Sequence, residues 1–258
     1  MKKILLILLF LPNLIFSQSV ISRGDSIVVR GDTVLTISFI PSDIDSMIYW
    51  LDANTISGVD GSVVGTWNDI SSNGYDAVQG TGAYQPILKK SIINGQSVVR
   101  FDGSNDFLIS NITNSYSQPI TMFIVYTVSV EGQEVITSMT STYYKYQIQY
   151  YDVTNWIYMS DDSYNITYAR GDAPFTANGT YIFNGANSKT YENGVLKNSG
   201  TLLNSTFTGN FFVGASAYSG GSIFLNGDIA EIIVYNKKSF TTDLQQQVEN
   251  YLSNKYGL

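Results

Sequence analysis

Carboxylates, hydroxyls, lysines and arginines are the reactive side chains of this 258-residue sequence, because it contains no Cys and no His. That excludes thiol and imidazole nucleophiles, zinc and haem ligation, and any triad that needs a His base. Paired carboxylates remain as the route to catalysis. Retaining glycoside hydrolysis needs two of them about 5 Å apart across a cleft, which on one strand means acids at alternate positions. Glu231 is followed by Ile233 and Tyr235, Asp43 and Asp45 have no third acid at 47, and Asp161 and Asp162 are adjacent, so they point to opposite faces of a strand. The pattern reads as a non-catalytic chain in which Glu231 is a structural carboxylate that accepts turn hydrogen bonds.

Aromatic residues make the stronger chemical signal. Residues 143–168 hold eight of the 19 Tyr together with Trp156. Read as a strand, this stretch places Tyr144, Tyr146, Ile148 and Tyr150 on one face and Tyr143, Lys145, Gln147, Gln149 and Tyr151 on the other. The first set is apolar enough to pack in a core, as Tyr does in β structure. The second mixes rings with amides, the combination that stacks on the apolar faces of sugars while hydrogen-bonding their hydroxyls. Gln147, Gln149, Tyr151, Trp156 and Asp162 are therefore the candidate ligand-binding residues.

Two oxygen-rich clusters, Asp102, Asn105 and Asp106 and then Asp52, Asn54 and Asp60, have the hard-ligand chemistry of calcium sites without matching an EF-hand loop. Asn and Asp are equally the ordinary residues of turns, so no cofactor is required and calcium binding is possible. Arg23, Arg30 and Arg170 each open an Arg-Gly-Asp triplet, which integrin-type receptors read when it is exposed; Gly-Asp is also simply a good turn.

The elements that must position these residues follow from the rest of the chain. Lys2 and Lys3, the apolar run from Ile4 to Leu11 and the small residues Ser17 and Ser19 have the order of a secretory signal peptide. Pro12 and Asn13 break the run well short of the roughly 20 residues a membrane span needs. The expectation is a secreted or cell-surface protein, cleaved after Ser17 or Ser19, with no membrane span afterwards. Cleavage removes two Lys and no acid, taking the formal net charge from −7 to −9, which argues against nucleic acid as a partner.

Residues 20–45 form a short β-rich segment in which RGDSIVV is followed by RGDTVLT, each Gly-Asp able to turn the chain between apolar runs. It is expected to be hairpin-like or extended, and a partner protein could pair with it. Beyond it, short β-rich runs at residues 97–101, 120–130, 143–151, 156–159, 181–183, 189–192, 211–213 and 229–235 alternate with Gly, Asn, Asp and Ser clusters, the signature of a sandwich. Asn193-Gly194 is the sharpest hairpin turn, with Asn94-Gly95 and Asn226-Gly227 as weaker versions. A C-terminal helix is expected from about Thr242 to Lys255: Leu244, Val248, Tyr251 and Leu252 share one face, Thr242 and Gln245 suit a capping box, and Gly257 can end it. Trp50 and Trp67 read as packing residues.

Several blocks together resemble the laminin G-like domains of the concanavalin A-like lectin/glucanase superfamily, in the form common in secreted bacterial proteins. They are Trp50-Leu51-Asp52-Ala53; Trp67-Asn68-Asp69 with Ser72-Asn73-Gly74; Val98-Val99-Arg100-Phe101-Asp102-Gly103 through Leu108; Gly227-Asp228-Ile229-Ala230-Glu231 through Asn236; and Val248-Glu249 through Lys255-Tyr256-Gly257-Leu258. The resemblance implies an all-β jelly-roll sandwich of two antiparallel sheets over residues 46–258, often binding glycans and sometimes calcium. One such fold hosts many functions. The combined expectation is a non-catalytic binding or adhesion module for carbohydrate or a surface glycan, with a structural or assembly protein as the second reading and a glycoside hydrolase as the third.

Overall fold

The computed structural model describes residues 26–28, 34–36, 39–139, 145–151, 155–216 and 223–258. The chain divides into two compact units, Met1–Phe39 and Ile40–Leu258. In the first, β1 (Ser26–Val28) and β2 (Val34–Thr36) pair antiparallel with Ile27 opposite Leu35, so the described parts of the two motif copies pair with each other.

The second unit contains β3 (Met47–Asp52), β4 (Thr66–Trp67), β5 (Ala77–Val78), β6 (Ile87–Ile93), β7 (Gln96–Asp102), β8 (Leu108–Ser117), β9 (Ile120–Val128) and β10 (Gln133–Met139). It continues with β11 (Lys145–Tyr151), β12 (Trp156–Asp161), β13 (Tyr164–Ala169), β14 (Phe175–Phe183), β15 (Ser188–Glu192), β16 (Val195–Gly200), β17 (Thr206–Val213), β18 (Asn226–Tyr235) and the helix α1 (Thr242–Tyr256). The described strands make two antiparallel sheets. One runs β13-β12-β11-β10-β17-β8-β5-β4; the other runs β16-β15-β14-β9-β18-β7-β6, with β3 also paired to β18. This is the expected jelly-roll sandwich.

Alternation along the strands explains the core. Tyr146, Ile148 and Tyr150 of β11, Ile157 and Met159 of β12, and Ile120, Met122, Ile124 and Tyr126 of β9 all join one buried cluster between the sheets. Tyr143 and Tyr144, expected in the first strand of this set, lie outside the described residues. Trp67 is fully buried, whereas Trp50 is half-buried and also donates its indole N–H to Glu231 at 2.7 Å.

Asn193 (φ 50°) with Gly194 (φ 74°) turns β15 into β16, and Asn94 (φ 48°) with Gly95 (φ 78°) turns β6 into β7, as a positive-φ hairpin pair should. Asn226-Gly227 does not. It opens β18, and Gly227 is required there because a Cβ would lie 2.0 Å from the Thr127 carbonyl oxygen of the neighbouring strand. A glycine that permits close backbone approach looks, in sequence, like a glycine that permits a turn.

The helix ends as expected on Gly257 (φ 72°), but its N-cap is Thr241, which accepts a hydrogen bond from the Leu244 amide at 3.3 Å. The capping pattern expected at Thr242 and Gln245 fails because Gln245 turns inward and donates to Glu249 at 2.8 Å. Val248 and Leu252 are completely buried. They belong with Phe123, Tyr235 and Phe240, whose rings meet at 5.2–6.1 Å, in a second, smaller core on the side of the β9–β18 sheet that faces away from its partner sheet.

Candidate functional site

The β11-β12-β13 corner carries the aromatic segment on its outer face. Register fixes the neighbours: Gln147 stands opposite Ser160, Gln149 opposite Tyr158 and Tyr151 opposite Trp156, while Tyr158 and Ser160 stand opposite Thr167 and Asn165. Because side chains alternate, everything in this set points away from the core. Gln133, Gln149, Tyr151, Tyr158, Ser160 and Asn165 line a shallow hollow of about 180 Å³. The Tyr151 and Tyr158 rings meet edge to face, centroids 6.0 Å apart at 85°.

Of the five candidate residues, Gln149 and Tyr151 line this hollow. Gln147 lies behind it, buried, and donates its amide N–H to Gln149 Oε1 at 2.7 Å. Trp156 stands beside Tyr151 and is 38% exposed. Asp162 is in the β12–β13 turn with φ 60°, accepting from the Ser163 hydroxyl at 3.4 Å, and does not reach the hollow. Tyr158 and Ser160 were missed in the sequence, although their alternation with Ile157 and Met159 marks them as outward-facing; Gln133 and Asn165 are brought in by strand register alone.

A larger hollow, about 460 Å³, lies farther across the same sheet between β5 and β8, with Tyr75, Asp76, Val78, Gln79, Phe107 and Ile109 among its lining residues. Beside it Phe107 stacks between Tyr84 and Phe212, with centroids 6.1 and 5.9 Å away. Two of its polar side chains are already engaged: Gln79 accepts from the Thr81 amide at 3.0 Å and donates to the Phe107 carbonyl at 3.4 Å, and Asp76 accepts from the Asp69 amide at 2.8 Å. The smaller hollow differs. Among the described residues the side chains of Gln133, Ser160 and Asn165 are in no hydrogen bond, and these are the groups that orient a polar ligand.

The oxygen-rich clusters are engaged in turn hydrogen bonds and ion pairs. Asp102 Oδ1 accepts from the Ser104, Asn105 and Asp106 amides at 2.8, 3.1 and 3.4 Å, which is turn chemistry; burial, then the Asp102 charge, push the Asp106 carboxyl up to about 6. Asp52 faces Lys255 at 2.6 Å, whereas Asp60 pairs with Lys89. Among the described residues no group of three or more acids stands together as a metal cage. The Arg-Gly-Asp triplet at Arg170 is not presented as a free ligand either: Arg170 is 2.7 Å from Glu192 and lies over the Phe175 ring at 4.2 Å. The triplets at Arg23 and Arg30 lie outside the described residues.

Glu231 is a structural carboxylate, but its donors are helix side chains and an indole, not turn amides. It is fully buried and accepts from Trp50 (2.7 Å), Tyr251 (3.2 Å), Lys255 (2.7 Å) and Tyr256 (2.8 Å). Burial raises its pKa; burial opposes the Lys255 charge too, but Glu231 and Asp52 outweigh it and hold Lys255 above its usual value. Asp161, also fully buried, is treated differently. It accepts from Gln118 at 2.9 Å and weakly from the Ser205 amide at 3.4 Å, its Oδ1 has no partner, and burial pushes it up to about 6.

No family model matches the chain, and no curated protein does. Solved structures do. Trypanosoma rangeli sialidase in complex with sialic acid superposes with a TM-score of 0.60 at 11% identity, over 82% of this chain and 33% of that one. The binding domain of botulinum neurotoxin DC in complex with rat synaptotagmin II gives 0.56 at 13% identity, over 81% of this chain and 52% of that one. The same binding domain in complex with SialylT gives 0.55 at 14% identity, with the same coverage. The chain thus spans about a third of the sialidase and half of the toxin domain. At these identities the likeness is one of fold: a sheet-rich, lectin-like jelly roll.

Proposed function

We propose that this chain is a secreted or cell-surface, non-catalytic binding module of laminin G-like type, and that it recognises extracellular carbohydrate on the outer face of β11–β13. The observation that carries this reading is the meeting, in one shallow hollow, of the Tyr151 and Tyr158 rings with the unengaged polar side chains of Gln133, Ser160 and Asn165. Trp156 extends the aromatic surface beside it. A sugar ring would stack on this surface while its hydroxyls take up the amides. At about 180 Å³ the hollow is below the usual pocket range of roughly 300–1,000 Å³, so it suits one ring at modest affinity. Structures of similar fold include complexes with sialic acid and with SialylT, the matched region being a third of the first chain and half of the second. The module needs no cofactor in this reading, with calcium as an accessory ion only.

A glycan and polysaccharide screen, with and without calcium, tests it. The native protein is expected to bind, and Tyr151→Ala and Trp156→Ala to weaken binding about tenfold at unchanged circular dichroism; a native protein that binds nothing on the screen refutes the reading. A second reading, an assembly protein, draws on the two-stranded β1–β2 sheet, which pairs with no further strand among the described residues and so leaves edges open to strand addition. Oligomers in solution without glycan binding would favour it.

A further inference from the structure

The six side chains lining the hollow are two glutamines, two tyrosines, a serine and an asparagine, with no charge among them. Neighbouring cations are directed elsewhere. Arg170 and Lys197 both face Glu192, at 2.7 and 4.0 Å. Lys145 is four residues along β11 from Gln149, about 13 Å at strand rise. In sequence the acids Glu134, Asp152 and Asp161 directly follow the lining residues Gln133, Tyr151 and Ser160, and the chain as a whole is acidic, with formal net charge −7. A carboxylate entering this hollow would lose water and meet no cation, while a long-range field of its own sign opposed its approach.

The orientation of the amides adds a preference. The Gln147 N–H donates to Gln149 Oε1 at 2.7 Å, and the Ser216 hydroxyl donates to Gln147 Oε1 at 3.5 Å. This relay occupies the acceptor of Gln149, a residue only 7% exposed, and leaves its NH₂ as the group offered to the hollow. We propose that the ligand is an uncharged saccharide, held through a hydroxyl or ring oxygen that accepts from Gln149, and that glycans carrying a sialic acid or uronate at the contact point are rejected. Gln149 is then the specificity-determining residue. The inference rests on the carbohydrate-binding reading above and sets this chain apart from the sialic acid complex seen for one protein of similar fold.

The test is an array of matched pairs, each neutral oligosaccharide printed beside its sialylated or uronate-bearing counterpart, followed by calorimetric titration of the strongest pair. Neutral members are expected to bind about tenfold or more tightly than their charged partners. Equal or reversed preference overturns the inference while leaving carbohydrate binding intact; binding to neither member removes the underlying reading, and this inference with it. Gln149→Glu keeps the acceptor that Gln147 uses but deletes the donor, and is expected to weaken neutral-glycan binding about tenfold. Asn165→Arg, at an exposed position on β13, is expected to shift the pair ratio toward the charged member by a similar factor. A ratio unchanged by Asn165→Arg in a folded protein counts against the inference even where Gln149→Glu does not fold.

Discussion

The two outer faces of the sandwich are finished in opposite ways. On the sheet centred on β9 and β18, the chain supplies its own cover: α1 buries Val248 and Leu252 and brings Lys255 between Glu231 and Asp52. The cover extends to Gln245, Glu249 and Thr180, whose side chains hydrogen-bond in sequence at 2.8 Å. On the other sheet no helix lies among the described residues, and the side chains lining the smaller hollow are rings, amides and a hydroxyl. Even the buried acids follow the division. Glu231 has four donors, one of them the Lys255 cation, while Asp161, on β12 of the uncovered sheet, has amide donors only and an orphan oxygen. A face covered by its own helix, with most polar groups paired internally and the buried Asn178 Oδ1 left without a partner, has little left to offer a ligand. A face left with unspent donors and exposed rings is the one that can recognise something.

Perturbing each side separately tests that division. Lys255→Met should have the largest effect, because it leaves Glu231 and Asp52 facing one another without a cation; a loss of about 3 kcal/mol is expected in urea unfolding, with glycan binding of the remaining folded protein unchanged. Asp161→Asn should do the reverse. Its folded pKa of about 6 lies above the usual carboxylate value, so the native state binds the proton more readily and loses stability as pH rises from about 4 to about 6. The variant is therefore expected to be more stable than the native protein by about 1–2 kcal/mol at pH 8, and the gain should vanish below about pH 4. Thr241→Ala removes the helix cap and should cost about 1 kcal/mol, read as faster amide exchange in the first turn of α1. Tyr158→Ala should change stability least, by less than about 1 kcal/mol, yet weaken glycan binding about tenfold. A Tyr158→Ala protein that bound normally would separate the open face from ligand recognition.

The sequence made some of these features readable and hid others for physical reasons. Strict alternation in β11 announced which of Tyr146, Ile148 and Tyr150 face inward and which of Gln147, Gln149 and Tyr151 face outward, because the period of a strand is local information. Asn193-Gly194 and Asn94-Gly95 likewise specify their hairpins by backbone preference alone. Asn226-Gly227 misled, since the demand on Gly227 comes from Thr127, a hundred residues away in sequence. The same distance hid the Lys255–Asp52 pair, separated by 203 residues, and the Gln133 and Asn165 walls of the hollow. Glu231 was legible as structural, but its partners were not, because the helix that delivers them folds onto a sheet whose order the sequence does not state.

The position of β18 has a consequence for how the chain acquires its structure. β18 lies between β9 on one side and β7 followed by β3 on the other, and it joins residues as distant as Trp50 and Glu231, 181 apart. Until Asn226–Tyr235 has been synthesised, the earlier strands have no partner on that side and the ladder through β9 stays open. Contacts of such long sequence separation slow folding, since loop closure precedes any reward from pairing. The rate-limiting event is accordingly expected to be capture of this one strand, and the native fold should appear only after residues 226–235 have left the ribosome.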